Sequence, residues 1–202
     1  LKDGAARAEI MLEKLSHRGT DGAGIYVSSD ANCVLGNNRL AMSAANDLKQ
    51  PSSNITADIW ISLDGCIYNY ARIWKDLESK GHKFKTASDT EAVIRLYESY
   101  GLDFARKING IFSTAIYDQK AGRLILTRDR AGVKPLFTAI DDNFLYFSSE
   151  IKSIIAVKPE LKTLDEQAIY EYLVYGYISA PLTVFKKINK FIFCVYGKYY
   201  TI

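Results

Sequence analysis

The chain has 202 residues, of which 48% are hydrophobic and 24% are charged, a composition typical of one globular domain with a substantial core. The formal net charge is +3, from 26 basic and 23 acidic residues. Because this small excess is dispersed along the chain, it argues against nucleic-acid binding. The three cysteines form no Cys-x-x-Cys pair, which argues against a disulfide framework or a metal site and favours a reducing, cytoplasmic compartment.

The sequence also argues against a membrane partner. It contains no apolar run of about 18 residues, the length that a spanning helix needs. The first residues lack the apolar core of a signal peptide. The sequence begins with Leu1 rather than Met, so we expect the chain to start after processing, after a truncation or after a further segment.

Hydrophobic spacing predicts the first elements in chain order. A helix is expected over 5–15, followed by a loop with three glycines over 17–24. Short strands are expected at 25–27 and 34–35. A strand over 60–63 then ends at Asp-Gly, where a helix begins. Such a junction exposes backbone N–H groups at the tip of a sheet, which is a good place to hold an oxyanion.

Two capping boxes predict later helices. Ser88 and Glu91 stand three residues apart before an apolar helical face, and Thr163 and Glu166 repeat this spacing. In a capping box the first side chain accepts a hydrogen bond from the backbone N–H three residues on. We therefore expect one helix to begin at each box.

Two hairpins complete the prediction of the fold class. Strands over 111–117 and 123–127 flank a turn, as do strands over 136–140 and 144–147. Hairpins mixed with helices, without strict alternation of strand and helix, indicate an α+β fold with antiparallel sheets. Two sheets between helical layers would cover every sheet face, although the pattern alone does not require this arrangement.

Short motifs along nearly the whole chain resemble those of a known family. In order they are His17-Arg18-Gly19-Thr20-Asp21-Gly22, Asn38-Arg39-Leu40-Ala41, Asp64-Gly65-Cys66-Ile67-Tyr68-Asn69-Tyr70, Ser88-Asp89-Thr90-Glu91, Asn109-Gly110-Ile111-Phe112, Arg128-Asp129-Arg130-Ala131-Gly132-Val133-Lys134-Pro135-Leu136 and Ser149-Glu150-Ile151-Lys152. Together they resemble the class II glutamine amidotransferase domain of the asparagine synthetase family. This resemblance implies a four-layer αββα sandwich of the N-terminal nucleophile hydrolase type. It implies a single domain over 1–202, with about 160–202 leading into an absent synthetase domain.

The resemblance also implies a chemistry. In that family an N-terminal Cys attacks the side-chain amide of glutamine, its own α-amine serves as the base, and the ammonia passes to an ATP-using domain. The expected ligand is therefore glutamine or a similar small amide, and the expected partner is a synthetase domain or subunit. ATP and Mg²⁺ would belong to that partner, with no cofactor or metal in this domain. A homodimer is left open.

Five residues match the substrate-binding positions of that family. Arg39 matches the arginine that binds the substrate carboxylate, a role that suits the two-pronged guanidinium. Leu40 and Met42 would follow it as the pocket wall or as backbone contacts, and ordinary strand packing could hold at the same time. Asp89 matches the aspartate that binds the α-amine, although an acid at a helix start also gains about 0.3–1 kcal/mol from the helix dipole. Gly65 matches the glycine whose N–H contacts the oxyanion, although it could equally be a turn glycine with positive φ.

Two departures fall inside the candidate site. Asp64 stands where the family has an oxyanion-binding Asn; Asn donates hydrogen bonds, whereas an ionised Asp only accepts them. Removing one oxyanion donor typically costs about 2.7–4 kcal/mol, so the sequence predicts weak or lost glutaminase activity, which Asn at position 64 should raise. Cys66 stands where the family has Glu at the rim of the substrate pocket, and we predict that it is a small buried residue.

Further departures leave two functional readings. Leu1 is not a Cys, and no Cys precedes Cys33, so the strand with the nucleophile is expected to lie upstream or to have been replaced. The chain is then either a glutaminase domain without its first strand, or a non-catalytic domain kept for ligand binding or for assembly with a synthetase. The charged run over 128–134 is predicted to be a structural turn, and His17 to order its loop.

Overall fold

The computed structural model describes residues 2–40, 49–86, 88–141, 143–192 and 198–201, with backbone alone for Lys2 and for 198–201. The helices are α1 (Lys2–Lys14), α2 (Tyr70–Ser79), α3 (Asp89–Tyr100), α4 (Ile151–Val157) and α5 (Glu166–Tyr175). The strands are β1 (Ala23–Val27), β2 (Val34–Asn38), β3 (Ser52–Ser53), β4 (Ile59–Ile67), β5 (Gly110–Asp118), β6 (Arg123–Arg128), β7 (Phe137–Ile140), β8 (Leu145–Ser148), β9 (Ile188–Lys190) and β10 (Lys198–Thr201).

The described strands form three sheets in which every pair is antiparallel. One sheet has five strands in the order β10-β6-β5-β4-β3, the second is β1-β2, and the third is β8-β7-β9. The two predicted hairpins are β5-β6 and β7-β8. The predicted α+β class with antiparallel sheets is confirmed.

Three clusters of buried side chains set the order of the layers. On one face of the five-stranded sheet, Ile61 and Ile116 pack with Leu77 of α2 and Leu96 of α3. On its other face, a second cluster joins this sheet to the two small sheets, with members including Leu35, Tyr117, Leu126 and Leu136. A third cluster joins β7 and β9 to α4 and α1. The layers are therefore helix, sheet, split sheet and helix.

The alternation of side chains along β4 determines which residues face the split layer. Ile59, Ile61 and Leu63 belong to the cluster with α2 and α3. The intervening Trp60 stacks on Tyr26 of β1, with ring centroids 3.9 Å apart. Because side chains alternate along a strand, Asp64 shares the face of Trp60 and points towards the split layer.

Two predictions about element boundaries are corrected by the structure. The strand predicted over 60–63 does not end at Asp64-Gly65: β4 continues to Ile67, because β5 pairs with it as far as Gly110. Gly65 is thus a strand residue rather than a turn residue. The helix predicted at the second capping box, α5, does not begin at a Thr163 cap, because Thr163 O accepts from Lys186 N–H at 3.0 Å and Leu164 forms a β-bridge with Phe185. The cap of α5 is Asp165, which accepts from Ala168 N–H at 3.2 Å.

The first capping box forms as predicted at its Ser position. Ser88 accepts a hydrogen bond from Glu91 N–H at 3.1 Å, and α3 begins at the next residue. Within the part of the chain that the structure describes, no helix combines the length and the apolar character that crossing a membrane requires.

Candidate functional site

The edge of β4 presents a row of backbone N–H groups that point away from β5. Leu63 N–H donates to the Gln50 side-chain oxygen at 2.7 Å, and Ile67 N–H donates to Asp89 Oδ2 at 2.9 Å. Because backbone groups alternate in direction along a strand, the N–H of Gly65 points to the same side. Gly65 therefore offers a donor between two N–H groups that already have side-chain acceptors.

The opposite strand explains why position 65 is a glycine. Phe112 lies opposite Gly65 in the strand pair. The Phe112 carbonyl accepts a hydrogen bond from the backbone N–H of Asp129, at 2.7 Å, and not from Gly65. A Cβ on Gly65 would collide with Ile111 O and would lie 2.6 Å from Phe112 Cα. Gly65 also has a φ of 148°, a region that side-chain-bearing residues rarely adopt. Close approach of β4 to β5 at the site requires glycine here.

Asp89 connects α3 to the site. It is the first residue of α3, but the helix cap is Ser88, and the Asp89 carboxylate turns instead to the N–H of Ile67. Burial raises the pKa of Asp89, and the hydrogen bond from Ile67 offsets part of that increase. Among the described residues, no cation forms an ion pair with this half-buried carboxylate, which is therefore suited to bind a ligand's ammonium group.

Asp64 is ion-paired on both of its carboxylate oxygens, which the sequence did not indicate. Arg18 Nη2 lies 3.0 Å from Oδ2, and Lys134 Nζ lies 2.7 Å from Oδ1. The side chains of these three residues are each 25–31% exposed. The predicted weak or lost activity treated Asp64 as a lone carboxylate, whereas the trio has two positive charges and one negative charge.

Glu150 extends this charged network towards α4. Its Oε1 lies 3.5 Å from Arg18 Nη1 and 2.8 Å from His17 Nε2, and its Oε2 lies 3.0 Å from Lys152 Nζ. The prediction that His17 orders its loop by a hydrogen bond is confirmed. Glu150 therefore ties the loop of Arg18 to the start of α4.

The charged run over 128–134 is a structural turn, as predicted for Arg128 and Asp129. The buried Asp129 carboxylate accepts from the N–H groups of Val133 at 2.9 Å and Lys134 at 3.0 Å. Burial alone would raise the pKa of Asp129, but the backbone N–H donors outweigh it and hold that pKa below its usual value. The Arg128 guanidinium donates to the backbone carbonyls of Gly132, Lys134 and Phe191.

We expect Asp129→Ala to lower the free energy of unfolding by about 3 kcal/mol, because buried N–H groups lose a charged acceptor. The Asp129 pKa is lower in the fold, so the stabilisation is present above the unfolded pKa of about 3.9 and is lost as pH falls through the folded pKa. Urea unfolding at pH 7 and pH 3 measures both effects. Asp103→Ala, which removes an exposed ion pair with Arg106, should change stability by less than about 1 kcal/mol. Equal losses for the two variants would contradict this role of Asp129.

The predicted burial of Cys66 is wrong, because its side chain is exposed. By the alternation along β4, position 66 lies on the face of Trp60 and Asp64, close to the end of the strand, where its side chain is left exposed. Partial burial of the thiol and the nearby Asp89 raise the pKa of Cys66, and Lys134 acts in the opposite direction. Cys33 is buried, and burial with the charge of Asp30 raises its pKa to about 12. Neither environment favours a thiolate.

Arg39 follows β2 at the same corner of the molecule. Its N–H donates to Gly22 O at 2.8 Å, and a Cβ on Gly19 would lie 2.6 Å from Arg39 N. The absence of a side chain at Gly19 lets the backbone next to Arg18 pack directly against the backbone of Arg39. Arg18, which contacts Asp64, therefore lies close to Arg39. Leu40 is 58% exposed. Met42 lies outside the described residues, so its assignment to the pocket wall remains a prediction.

Sequence reasoning missed Gln50, Arg18 and Lys134 as members of this corner. No motif or periodicity singles out Gln50, yet its side chain accepts from Leu63 N–H of β4 and its carbonyl approaches Gly24 of β1. Its neighbour in sequence is a proline, but nothing in the local pattern shows where the side chain points. The contacts of Arg18 and Lys134 with Asp64 join residues far apart in sequence.

Two further features of the described residues concern possible ligand sites away from Asp64. No group of three or more His, Cys, Asp and Glu side chains with the geometry of a metal site occurs among the described residues. A cavity of about 490 Å³ lies at the opposite end of β4, where Asp58, Trp60 and Gln119 contribute to its lining. The Asp58 carboxylate there is already bound by Lys120 and Asn54.

Comparison with known proteins relates this corner to a family. Residues 1–201 match a family model described as a glutamine amidotransferase domain. The chain is 31% identical over 180 residues to asparagine synthetase [glutamine-hydrolyzing] 1 of Bacillus subtilis, covering 89% of this chain and 28% of that protein. It is 33% identical over 199 residues to putative asparagine synthetase [glutamine-hydrolyzing] 2 of Methanocaldococcus jannaschii, covering 89% and 38%. The chain therefore spans about a third of these relatives' length.

Solved structures give the fold. Glutamine phosphoribosylpyrophosphate amidotransferase from B. subtilis superposes with a TM-score of 0.63 at 20% identity, over 75% of this chain and 41% of that one. A structure described as the allosteric regulatory enzyme of purine biosynthesis superposes with a TM-score of 0.64 at 21% identity, over 76% and 41%. The predicted N-terminal nucleophile hydrolase fold is confirmed. This chain belongs to the glutamine amidotransferase domain family, in its class II form.

Proposed function

We propose that this domain binds glutamine at the edge of β4 and supplies ammonia from its side-chain amide to a synthetase partner. The observation that carries the proposal is the contact of the half-buried Asp89 carboxylate with Ile67 N–H. The alternation along β4 directs the N–H of Gly65, two residues earlier, to the same strand edge. A carboxylate suits the ligand's α-ammonium group. The N–H suits the oxygen of the amide.

Arg39 completes the proposed recognition of glutamine. It lies at the corner that Arg18 shares with Asp64, and its guanidinium would pair with the α-carboxylate of the ligand. Leu40, Met42 and the exposed Cys66 would line the rim of the pocket. Recognition of both α-substituents and of the side-chain amide would favour glutamine over other amides, because a missing partner leaves a polar group unsatisfied.

The nucleophile is proposed to come from a strand of the same polypeptide that precedes Leu1. β1 and β8 each pair with one strand among the described residues, and their two sheets cover the same face of the five-stranded sheet. A strand between them would supply the ladder partners that edge strands lack. The relatives named above are described as glutamine-hydrolysing asparagine synthetases, so the proposed partner is a synthetase domain that would use ATP and Mg²⁺, in a cytoplasmic protein.

The 202-residue chain alone is expected to release no ammonia from glutamine above background, because neither described cysteine has an environment that favours a thiolate. A chain extended by a family-like strand with a terminal Cys should release glutamate and ammonia. The same extension with Ser in place of that Cys is the control. Turnover by the unextended chain, or by the Ser control at the same rate, would contradict the proposed source of the nucleophile.

A non-catalytic, ligand-binding domain is the second candidate, and the presence of Asp64 at the family's Asn position favours it. A domain of this kind would bind glutamine and assemble with a synthetase partner without hydrolysis. Calorimetric titration of the extended chain with L-glutamine, run beside the ammonia assay, separates the candidates: binding without turnover supports the second, and binding with turnover supports the first.

A further inference from the structure

We propose that Lys134, anchored by Asp64, stabilises the oxyanion that forms when the glutamine amide is attacked, in place of a neutral side-chain donor at position 64. This inference rests on the proposed function. It assigns Lys134 as a catalytic residue and Asp64 as its positioning residue. The observation that carries it is the direct contact of the Lys134 ammonium with Asp64, the residue that precedes Gly65.

The geometry of the ion pairs leaves the ammonium able to bind a second anion. Arg18 and Lys134 contact different oxygens of Asp64, so the carboxylate holds both cations at once. An ammonium has three N–H donors, and the contact with Asp64 uses one of them. The Lys134 side chain is 25% exposed, so a ligand can reach this corner. With Glu150 and its partner Lys152 included, the network has three positive and two negative charges, and this net positive charge favours a developing anion.

The backbone of Lys134 is fixed on both sides of its Cα atom. Its N–H donates to the buried Asp129 carboxylate at 3.0 Å, and its carbonyl accepts from the Arg128 guanidinium. A long, flexible side chain gains most as a catalytic donor when it is ordered before the reaction, because no reorganisation is then needed. The turn over 128–134 orders the backbone, and Asp64 orders the ammonium.

Lys134 is also coupled to the residue on the other side of Gly65. Partial burial and Asp89 raise the pKa of the Cys66 thiol, and Lys134 lowers it. The ammonium therefore acts on the residues before and after Gly65. Its contact with Asp64, the residue before Gly65, places the ammonium next to the strand edge from which the Gly65 N–H points.

The step is an ordinary addition and elimination at the amide carbon. A thiolate supplied by the upstream strand forms the C–S bond, and the electron pair of the C=O π bond moves to oxygen. The oxyanion then accepts hydrogen bonds from Lys134 and Gly65. When the C=O bond re-forms, the C–N bond breaks and the nitrogen leaves as ammonia, with a proton returned by the base that activated the thiol.

The test measures glutamate release and glutamine binding by the full-length protein and its variants. Lys134→Met should lower kcat about 100-fold with KM changed less than about threefold, and Lys134→Arg should recover part of the loss. Asp64→Asn, which the sequence alone would expect to raise kcat, should instead lower it, because the ammonium loses its ionic anchor. Lys158→Met is the control, since Lys158 is paired with Asp141 at the same 2.7 Å distance in another part of the fold.

The outcomes separate this inference from the proposed function. A Lys134→Met variant with wild-type kcat, or an Asp64→Asn variant with raised kcat, would overturn the role of Lys134 while glutamine hydrolysis by the wild type still upholds the proposed function. Wild-type protein that binds glutamine without hydrolysing it overturns the role of Lys134 and leaves the binding site in place. Protein that neither binds nor hydrolyses glutamine overturns both.

Discussion

Gly65→Ala is expected to lower the free energy of unfolding by about 3–5 kcal/mol and to abolish glutamine binding. A methyl group at this position collides with Ile111 O and lies 2.6 Å from Phe112 Cα. Overpacking of this kind typically costs about 1–3 kcal/mol, and a φ of 148° adds strain of about 1–3 kcal/mol for any residue with a Cβ. β4 and β5 must then separate at the position where the N–H donor is needed. Urea unfolding followed by circular dichroism measures the loss of stability.

Gly81→Ala is the matched control for Gly65→Ala. Gly81 also has a positive φ, of 87°, but a Cβ there meets no heavy atom within 4 Å. Its substitution should cost only the backbone strain, about 1–2 kcal/mol. The difference between the two variants therefore isolates the close approach of the strands. Equal losses for both would mean that the approach of β4 to β5 at Gly65 is unimportant for stability.

Asp89→Asn is expected to weaken glutamine binding by about 10- to 150-fold, since a hydrogen bond to a charged group contributes about 1.5–3 kcal/mol. Without glutamine, the Asp89→Asn variant should be at least as stable as the wild type. Burial raises the Asp89 pKa, so the stabilisation linked to this group is present below the unfolded pKa of about 3.9 and is lost as pH rises through the raised folded pKa. At pH 7 the ionised carboxylate therefore destabilises the ligand-free protein. An Asn side chain removes that penalty, and its oxygen can still accept the hydrogen bond from Ile67 N–H.

Asp165→Asn provides the comparison that separates the two explanations of Asp89. Asp165 also stands at a helix start, where it caps α5 by accepting from Ala168 N–H. If Asp89 served only the helix dipole, the two variants would behave alike, with a small loss of stability and no change in binding. Thermal shift with and without L-glutamine measures both quantities. If L-glutamine raised the melting temperature of Asp89→Asn as much as that of the wild type, Asp89 would not belong to the proposed site.

The sequence predicted those parts of the fold that local patterns specify. The hairpin β5-β6 follows from two apolar runs around a short polar turn, and the start of α3 follows from the Ser88 cap. The predicted end of β4 was wrong. Asp-Gly is usual in turns, whereas here the pairing with β5 extends the strand to Ile67. Tertiary pairing overrode the local signal, as it commonly does for strands.

The candidate site was predictable only in the residues that match family motifs. Gly65 and Asp89 were identified in this way, and Asp89 contacts the N–H of Ile67, two residues beyond Gly65 on β4. The partners of Asp64 were not predictable, because Arg18 and Lys134 lie 46 and 70 positions away in sequence. Periodicity and capping report on neighbours along the chain, whereas the charge of this corner depends on contacts between layers. The electrostatic character of the site therefore required the structure.

A crystal structure of the full-length protein with bound L-glutamine tests the central claim most directly. The ligand's ammonium group should lie within hydrogen-bond distance of the Asp89 carboxylate, and its amide oxygen should face the Gly65 N–H with the Lys134 ammonium beside it. Glutamine bound at another surface, or bound here with its amide turned away from β4, would contradict the assignment of this strand edge as the glutamine site.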